Sequence, residues 1–380
     1  MAAYGFPDWG AHSYQVARMA SGFRAIGQPA VIVRVPGFSG LPWDEIPAVY
    51  GVPAVPPRYD VPGGGPVTGR VPVLRGVLRR LGLGALAVRA AAGDVILARH
   101  ATRDPLRLVL RARALGLVRA RIIVELHEIP HHDPAADRLV DGYVVIHEHL
   151  RQHLVNGGFP DGRILLAPSA VDLDAYELAR EWDRATLRRE LQLPADAPVV
   201  CYTGRLSASR NVEILIGALA HLPAGACLVL IGDATGSYGE RLVHLASAQR
   251  GHIDVRLPGR LPAEATRRYQ MASDVLVFPY GDRLAAAPKY SPLKLGEYLA
   301  TGLPIAAFRT PSLAATLSDD DVVWAAEETP EAMAAAITSA SRRAPRSREQ
   351  VRTRLAGASW PDRARAITAF AASLPEGHRG

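Results

Sequence analysis

Short β-branched runs alternate with amphipathic stretches through both halves of this 380-residue chain. That rhythm predicts parallel sheets covered by helices, because parallel strands buried on both faces read as continuous apolar runs. The predicted strands of the first half are PAVIVRV, DVILAR, RIIVELH and GYVVIH, followed by RILLAPS. Those of the second half are VVCYTG, CLVLIGD, DVRLPG, DVLVFP and PIAAF. The expected fold class is α/β: two Rossmann-like, doubly wound parallel-sheet domains facing across a cleft, with ligands between the carboxyl ends of the strands. The domains are expected at 1–175 and 176–355, with a helix at 356–380 packing back on the N-terminal domain. The boundary falls near the VDLDAY turn, after which LAREWDRATLRREL reads as one charged helix.

This length supports two ordinary cores. Nothing is long or apolar enough to span a bilayer, and MAAYGFPDWGAH lacks the basic start and apolar core of a secretory signal. Cys201 and Cys227 lie in apolar runs and read as buried thiols of a cytoplasmic protein. The net charge of +7 favours acidic partners. No zinc-finger, basic-zipper or RNP pattern accompanies it, so nucleic acid is not an expected partner.

Three segments stand apart. Val52 to Arg70 is rich in Pro and Gly and reads as a long loop. The basic stretch VLRGVLRRLGLGALAVRA suits a sheet-covering helix, and also peripheral contact with an anionic membrane at its inner face. Before the helix SYQVARMASGFRAIG only MAAYGF is available for a first strand, so that strand is short or the chain starts upstream of Met1.

The segment PKYSPLKLGEYLATGLPIA holds both lysines of the chain, Lys289 and Lys294. Ser291 and Pro292 read as an N-cap and first helical residue, and Gly302 with Pro304 as the stop. Lys294 then sits in the first helical turn, where a cation opposes the helix dipole by roughly 0.3–1 kcal/mol. An anion at the helix start removes that conflict, since free N–H groups and the ammonium act together. The alternative is a solvated lysine paired with Glu297.

These motifs, in this order, resemble the family 4 glycosyltransferases of the GT-B fold. YTGRLSASRNVEILIGAL is similar to the opening of that family's donor domain, and IGDATGSYGERL to its second strand and turn. VRLPGRLPAEATRRYQMASDVLVFP resembles the base-holding segment, and SPLKLGEYLATGLPIAA the donor helix of the subgroup with a Ser-Pro pair. GAHSYQVARMASGFRAIG and LLAPSAVDLDAY resemble the family's glycine loop and interdomain signature.

The resemblance implies a donor site in which Arg205 and Arg210 meet the diphosphate, where an arginine fork can be bidentate. A solvated loop is the other reading of that pair. Ser291, Leu293 and Lys294 would serve phosphate at the helix start. Glu297 would hold the ribose hydroxyls, and Gly259, Arg260 and Leu261 the base. Lys289 stands where the family often carries a sugar-contacting glutamate. Gly10 would let the first loop approach the diphosphate. His127, at a strand's carboxyl end, resembles the family's active-site histidine, with Glu128 orienting it or accepting the acceptor's proton; a structural histidine is the alternative. His131, His132 and Asp133 raise a metal site but lack a second cluster.

The expected function is retaining transfer of a sugar from a nucleoside-diphosphate-sugar to an envelope-glycan, lipid-linked or small-molecule acceptor bound by the first domain. Neither a metal nor another cofactor is required on this reading. The rivals are a non-catalytic nucleotide-sugar-binding or partner subunit on the same fold, and a sugar-nucleotide epimerase.

Overall fold

The computed structural model describes residues 2–4, 6–35, 41–61, 82–83, 85–99, 103–129, 138–248, 254–281 and 293–375. They separate into two compact units, one of residues 1–170 with 357–380 and one of 171–356. Each is built on its own parallel sheet.

Among the described residues the first unit has seven strands: β1 (Ala2–Tyr4), β2 (Ile32–Val35), β3 (Arg58–Asp60), β4 (Val95–Arg99), β5 (Arg121–Leu126), β6 (Gly142–Val145) and β7 (Ile164–Leu166). Their order is β3-β2-β1-β4-β5-β6-β7, with every pair parallel. Chain direction across the sheet reverses between β1 and β4, so the crevice of this unit lies beyond the carboxyl ends of those strands. Burial explains the central pair: β5 is enclosed from Ile122 to Leu126 and β6 throughout.

In the second unit the strands are β8 (Val199–Thr203), β9 (Cys227–Ile231), β10 (Asp254–Gly259), β11 (Val275–Phe278), β12 (Ile305–Phe308) and β13 (Val323–Ala325). Their order, β10-β9-β8-β11-β12-β13, places the reversal between β8 and β11. Strands β8, β9, β11 and β12 are buried at every residue, as their apolar composition requires. Cys201 and Cys227 are free and buried there, and burial pushes both thiols up to about 12. An Arg188 to Asp274 ion pair of 2.6 Å ties the preceding helix to this sheet. The same carboxylate accepts the Val199 amide at 2.8 Å, fixing the start of β8.

Two expectations change. The Val52–Arg70 stretch contains edge strand β3, whose exposed–intermediate–exposed pattern carries no apolar alternation to announce it; residues 62–70 lie outside the described set. The charged helix 178–191 is two helices, Leu173–Ala179 and Arg184–Glu190, because the Asp183 carboxylate accepts the Thr186 amide at 2.8 Å and starts a new one. Of the basic amphipathic stretch, only the last turns are described, and they bury Leu83 and Ala87. No helix among the described residues is long and apolar enough to cross a membrane.

The helix Trp360–Ser373 packs in the first unit along the helix Ala11–Ala25. Gly22 makes the close approach possible: a Cβ there would stand 2.7 Å from the Trp360 carbonyl oxygen. Backbone cannot yield as a flexible side chain does, so Gly22→Ala is expected to destabilise the first unit by about 1–3 kcal/mol. Urea unfolding checks this, and an unchanged midpoint would contradict the packing.

Candidate active site

The carboxyl edge of the second sheet is shaped by three strand-end glycines. Gly204 donates its amide to Ile231 O at 2.9 Å, and Gly232 donates to Gly259 O at 3.0 Å. A Cβ on Gly232 would lie 2.0 Å from the Gly204 carbonyl oxygen, so only glycine fits. Gly259 has φ of +81° with open space around it. The edge therefore presents main chain to a ligand with little side-chain cover.

Around it stand the cations. Arg205 is exposed, and its carbonyl accepts the Tyr202 hydroxyl at 2.9 Å. Arg210 ends a short 3-10 turn, Ala208–Arg210, and lays its guanidinium 4.9 Å over the Tyr280 ring. Asn211, left-handed at φ of +54°, turns the chain into the next helix. Arg260 is exposed and paired with Asp233. The Thr235 hydroxyl, at 2.7 Å, the Thr235 amide and Arg260 hold the Asp233 carboxyl down to about 2. Leu261 is half-buried and its carbonyl accepts the Thr266 hydroxyl at 3.4 Å.

The described part of the donor helix runs Leu293–Thr301. Ser291, with Pro292 and Lys289, lies outside the described residues. Lys294 Nζ meets Glu297 Oε2 at 2.8 Å, so the side-chain pairing that the sequence offered as an alternative is present. Such a helix pair is worth only about 0.2–0.5 kcal/mol and is readily exchanged for a ligand's phosphate and hydroxyls.

What holds this helix in place is interior. Thr203 donates its amide to the Tyr298 hydroxyl at 2.8 Å, while Gln270 Nε2 donates to Thr203 Oγ1 at 3.3 Å. Gln270 in turn accepts the Tyr176 hydroxyl at 2.7 Å. The Phe278 and Tyr298 rings stack at 4.5 Å. Gly296 lets the helix approach Val171, whose Cβ would lie 3.2 Å from an added Cβ.

In the first unit, His127 follows β5 and meets a buried charge network. Its Nε2 lies 2.6 Å from Glu125 Oε1 and 2.5 Å from Arg99 Nη2. Arg363, from the C-terminal helix, donates to the same Glu125 oxygen at 3.1 Å and to Pro168 O at 3.0 Å. Arg99 also donates to His12 O at 3.2 Å and to Gln15 Oε1. Arg99, Glu125 and Arg363 are each 5% exposed or less. Burial opposes ionisation of Glu125, but Arg363, Arg99 and the His127 hydrogen bond outweigh it and hold its carboxyl well below the usual range. Burial and then Arg99 push His127 down to about 4, and the same two causes bring His12 to about 4.

Glu128 is exposed, and the carboxylate on the His127 ring is that of Glu125. In extended chain, residues i and i+2 share a face while neighbours diverge. That spacing is the signal that could have found Glu125; Arg363, far away in sequence, left none. Gly10 is exposed at the start of the Ala11–Ala25 helix, its amide bound to Asp8 Oδ1 at 2.7 Å. His131, His132 and Asp133 lie outside the described residues, and among the described residues no cluster could hold a metal ion.

Two units, each built on a Rossmann-type parallel sheet, make this the GT-B fold. Residues 183–354, most of the second unit, match the family described as glycosyl transferases group 1. The chain is similar to D-inositol 3-phosphate glycosyltransferases: 29% identical to that of Xylanimonas cellulosilytica over 42% of this chain and 38% of the relative. With that of Nocardia farcinica it shares 32% identity over 48% of this chain and 40% of the relative. The matches thus span well under half the length of these curated relatives. Among solved structures, Anabaena HepE in complex with UDP shares the fold, with TM-score 0.66 and 17% identity over 98% of both chains.

The two histidines make a pH prediction. Both rings are neutral when folded, and they face Arg99, Glu125 and Asp8. Their folded values lie below the ordinary 6.5, so unfolding takes up protons below that pH. The stabilisation is full above about pH 6.5 and is lost as pH falls toward 4. Denaturant titrations between pH 6.5 and 5 should show the first unit weakening, with a shallower slope in His12→Gln and His127→Gln. A level wild-type profile would contradict neutral buried rings.

Proposed function

We propose that the chain is a retaining glycosyltransferase that transfers a sugar from a nucleoside-diphosphate-sugar, held by the second unit, to an acceptor bound by the first. The acceptor is an envelope-glycan, lipid-linked or small-molecule hydroxyl. The carrying observation is the carboxyl edge of the second sheet: glycines end β8, β9 and β10, Arg205 and Arg210 follow β8 along the chain, and the Tyr298 hydroxyl ties the helix of Lys294 and Glu297 to the β8 end. Departure of a nucleoside diphosphate needs its growing negative charge stabilised by fixed donors and cations. Arg205, Arg210, Lys294 and the first amides of the Leu293–Thr301 helix supply that chemistry without a metal. Glu297 suits vicinal ribose hydroxyls, since a carboxylate accepts two O–H groups. Gly259, Arg260 and Leu261 suit the base.

The family match over the second unit supports this reading, and so does the shared fold with a UDP-bound neighbour. The named activity of the curated relatives places phosphorylated cyclitols among the acceptors to be tried. The expected activity is release of nucleoside diphosphate from one member of a nucleotide-sugar panel, enhanced by an acceptor. Tight donor binding without release across a broad acceptor panel would favour a non-catalytic binding protein instead. Lys294→Ala and Glu297→Ala should each weaken calorimetric binding of the preferred nucleoside diphosphate by roughly 10- to 100-fold, as expected for charge-assisted hydrogen bonds. Unchanged affinity in both variants would overturn the site.

A further inference from the structure

We propose that Glu125, held by Arg363 of the C-terminal helix, fixes the tautomer of His127 with its proton on Nε2, so that Nδ1 is offered as a hydrogen-bond acceptor to a ligand hydroxyl. The ligand half of this statement rests on the transferase reading above; the tautomer half does not.

Two groups of opposite demand meet at one nitrogen. A guanidinium only donates, whereas an ionised carboxylate only accepts. Arg99 Nη2 and Glu125 Oε1 nevertheless both reach His127 Nε2, at 2.5 and 2.6 Å. A single ring nitrogen cannot serve both. With a proton it donates to Glu125; without one it accepts from Arg99, and the proton then resides on Nδ1.

The surroundings choose between these states. Arg99 has other acceptors, since the same Nη2 donates to Gln15 Oε1 and Nη1 donates to His12 O at 3.2 Å. Glu125 is 3% exposed and needs donors in place of water. Arg363 Nη2 supplies one to Oε1 at 3.1 Å, and His127 Nε2–H supplies a second to the same oxygen. Arg363 is itself anchored, its Nε 3.0 Å from Pro168 O and its Nη1 3.1 Å from Met19 Sδ. Leaving the carboxylate short of a donor is the more costly choice, so the proton sits between Nε2 and Glu125.

Nδ1 then carries the lone pair. Among the described residues it has no hydrogen-bond partner, and a quarter of the side chain reaches solvent. The ring is neutral at pH 7 because burial and Arg99 disfavour its cation. Such a nitrogen can accept the hydrogen of a sugar hydroxyl and orient its oxygen. Glu125 and Arg363 are positioning residues: they act on the ligand only through the ring.

The test is 15N-histidine NMR of the full chain at pH 7, with assignment by His127→Gln, alongside kinetics. Wild type should show His127 protonated on Nε2. In Glu125→Met both acceptor oxygens are lost and Arg99 donates unopposed, so the proton should move to Nδ1. Arg363→Lys should keep the wild-type tautomer, and Arg363→Met should mix the two. A wild-type ring protonated on Nδ1, or a Glu125→Met ring unchanged from wild type, would overturn the proposal. If Glu125→Met does not fold, the tautomer shift between Arg363→Lys and Arg363→Met decides, and identical rings in these two would also overturn it. In the kinetic arm, Glu125→Met should lower kcat by roughly 10- to 100-fold with donor affinity unchanged. The expected tautomers in a protein without any transfer would remove the transferase reading and leave the positioning role standing.

Discussion

The hydrogen bond from the Thr203 amide to the Tyr298 hydroxyl, 2.8 Å long and wholly buried, fixes the candidate donor site of the second unit. A strand end in a parallel sheet leaves amides unpaired just where the chain must turn. Here a side chain of the Leu293–Thr301 helix takes one of them, so the requirement to satisfy buried N–H groups also sets the height of that helix over β8. Gln270 and Tyr176 extend the link to two further helices. Lys294 and Glu297, one turn N-terminal to Tyr298 and beside it, are carried into position by that anchor. The glycines at 204, 232 and 259 complete the edge by removing the side chains that would cover it.

In the first unit the equivalent organising element is a charge network instead of a neutral one. Two arginines and one glutamate are buried together, which is tolerable because backbone carbonyls, Gln15 and Met19 take the remaining guanidinium donors. One of those arginines comes from the last helix of the chain. Its docking therefore does more than cover the Ala11–Ala25 helix: it completes the environment of His127. The close approach at Gly22 and the Glu125–Arg363 contact are two ends of the same packing event.

Much of the fold was legible because parallel strands enclosed by helices must be apolar along their whole length. That rule identified the runs that became β2, β4 to β7 and β8 to β12. It could not identify β3, whose Arg58, Tyr59 and Asp60 make no apolar run; β13 was not among the expected strands although it lies in the apolar run VVWAA. Lys294 and Glu297 were legible as a pair because three residues of helix bring them together. The Asp183 cap inside a charged run was misread, since a helix break depends on one side chain's hydrogen bond and not on periodicity. Glu125, Arg99 and Arg363 were out of reach for another reason: 238 residues separate Glu125 from Arg363, and only the completed sheet and helix layer join them.

If the carboxyl edge of the second sheet holds a nucleoside diphosphate through glycine backbone, arginines and the start of the Leu293–Thr301 helix, hydrogen exchange by mass spectrometry will report it. With UDP, GDP and ADP added in turn, one nucleotide should slow exchange in the segments 203–210, 259–261 and 293–298 together. Binding that protects other segments and leaves these three unchanged would contradict it.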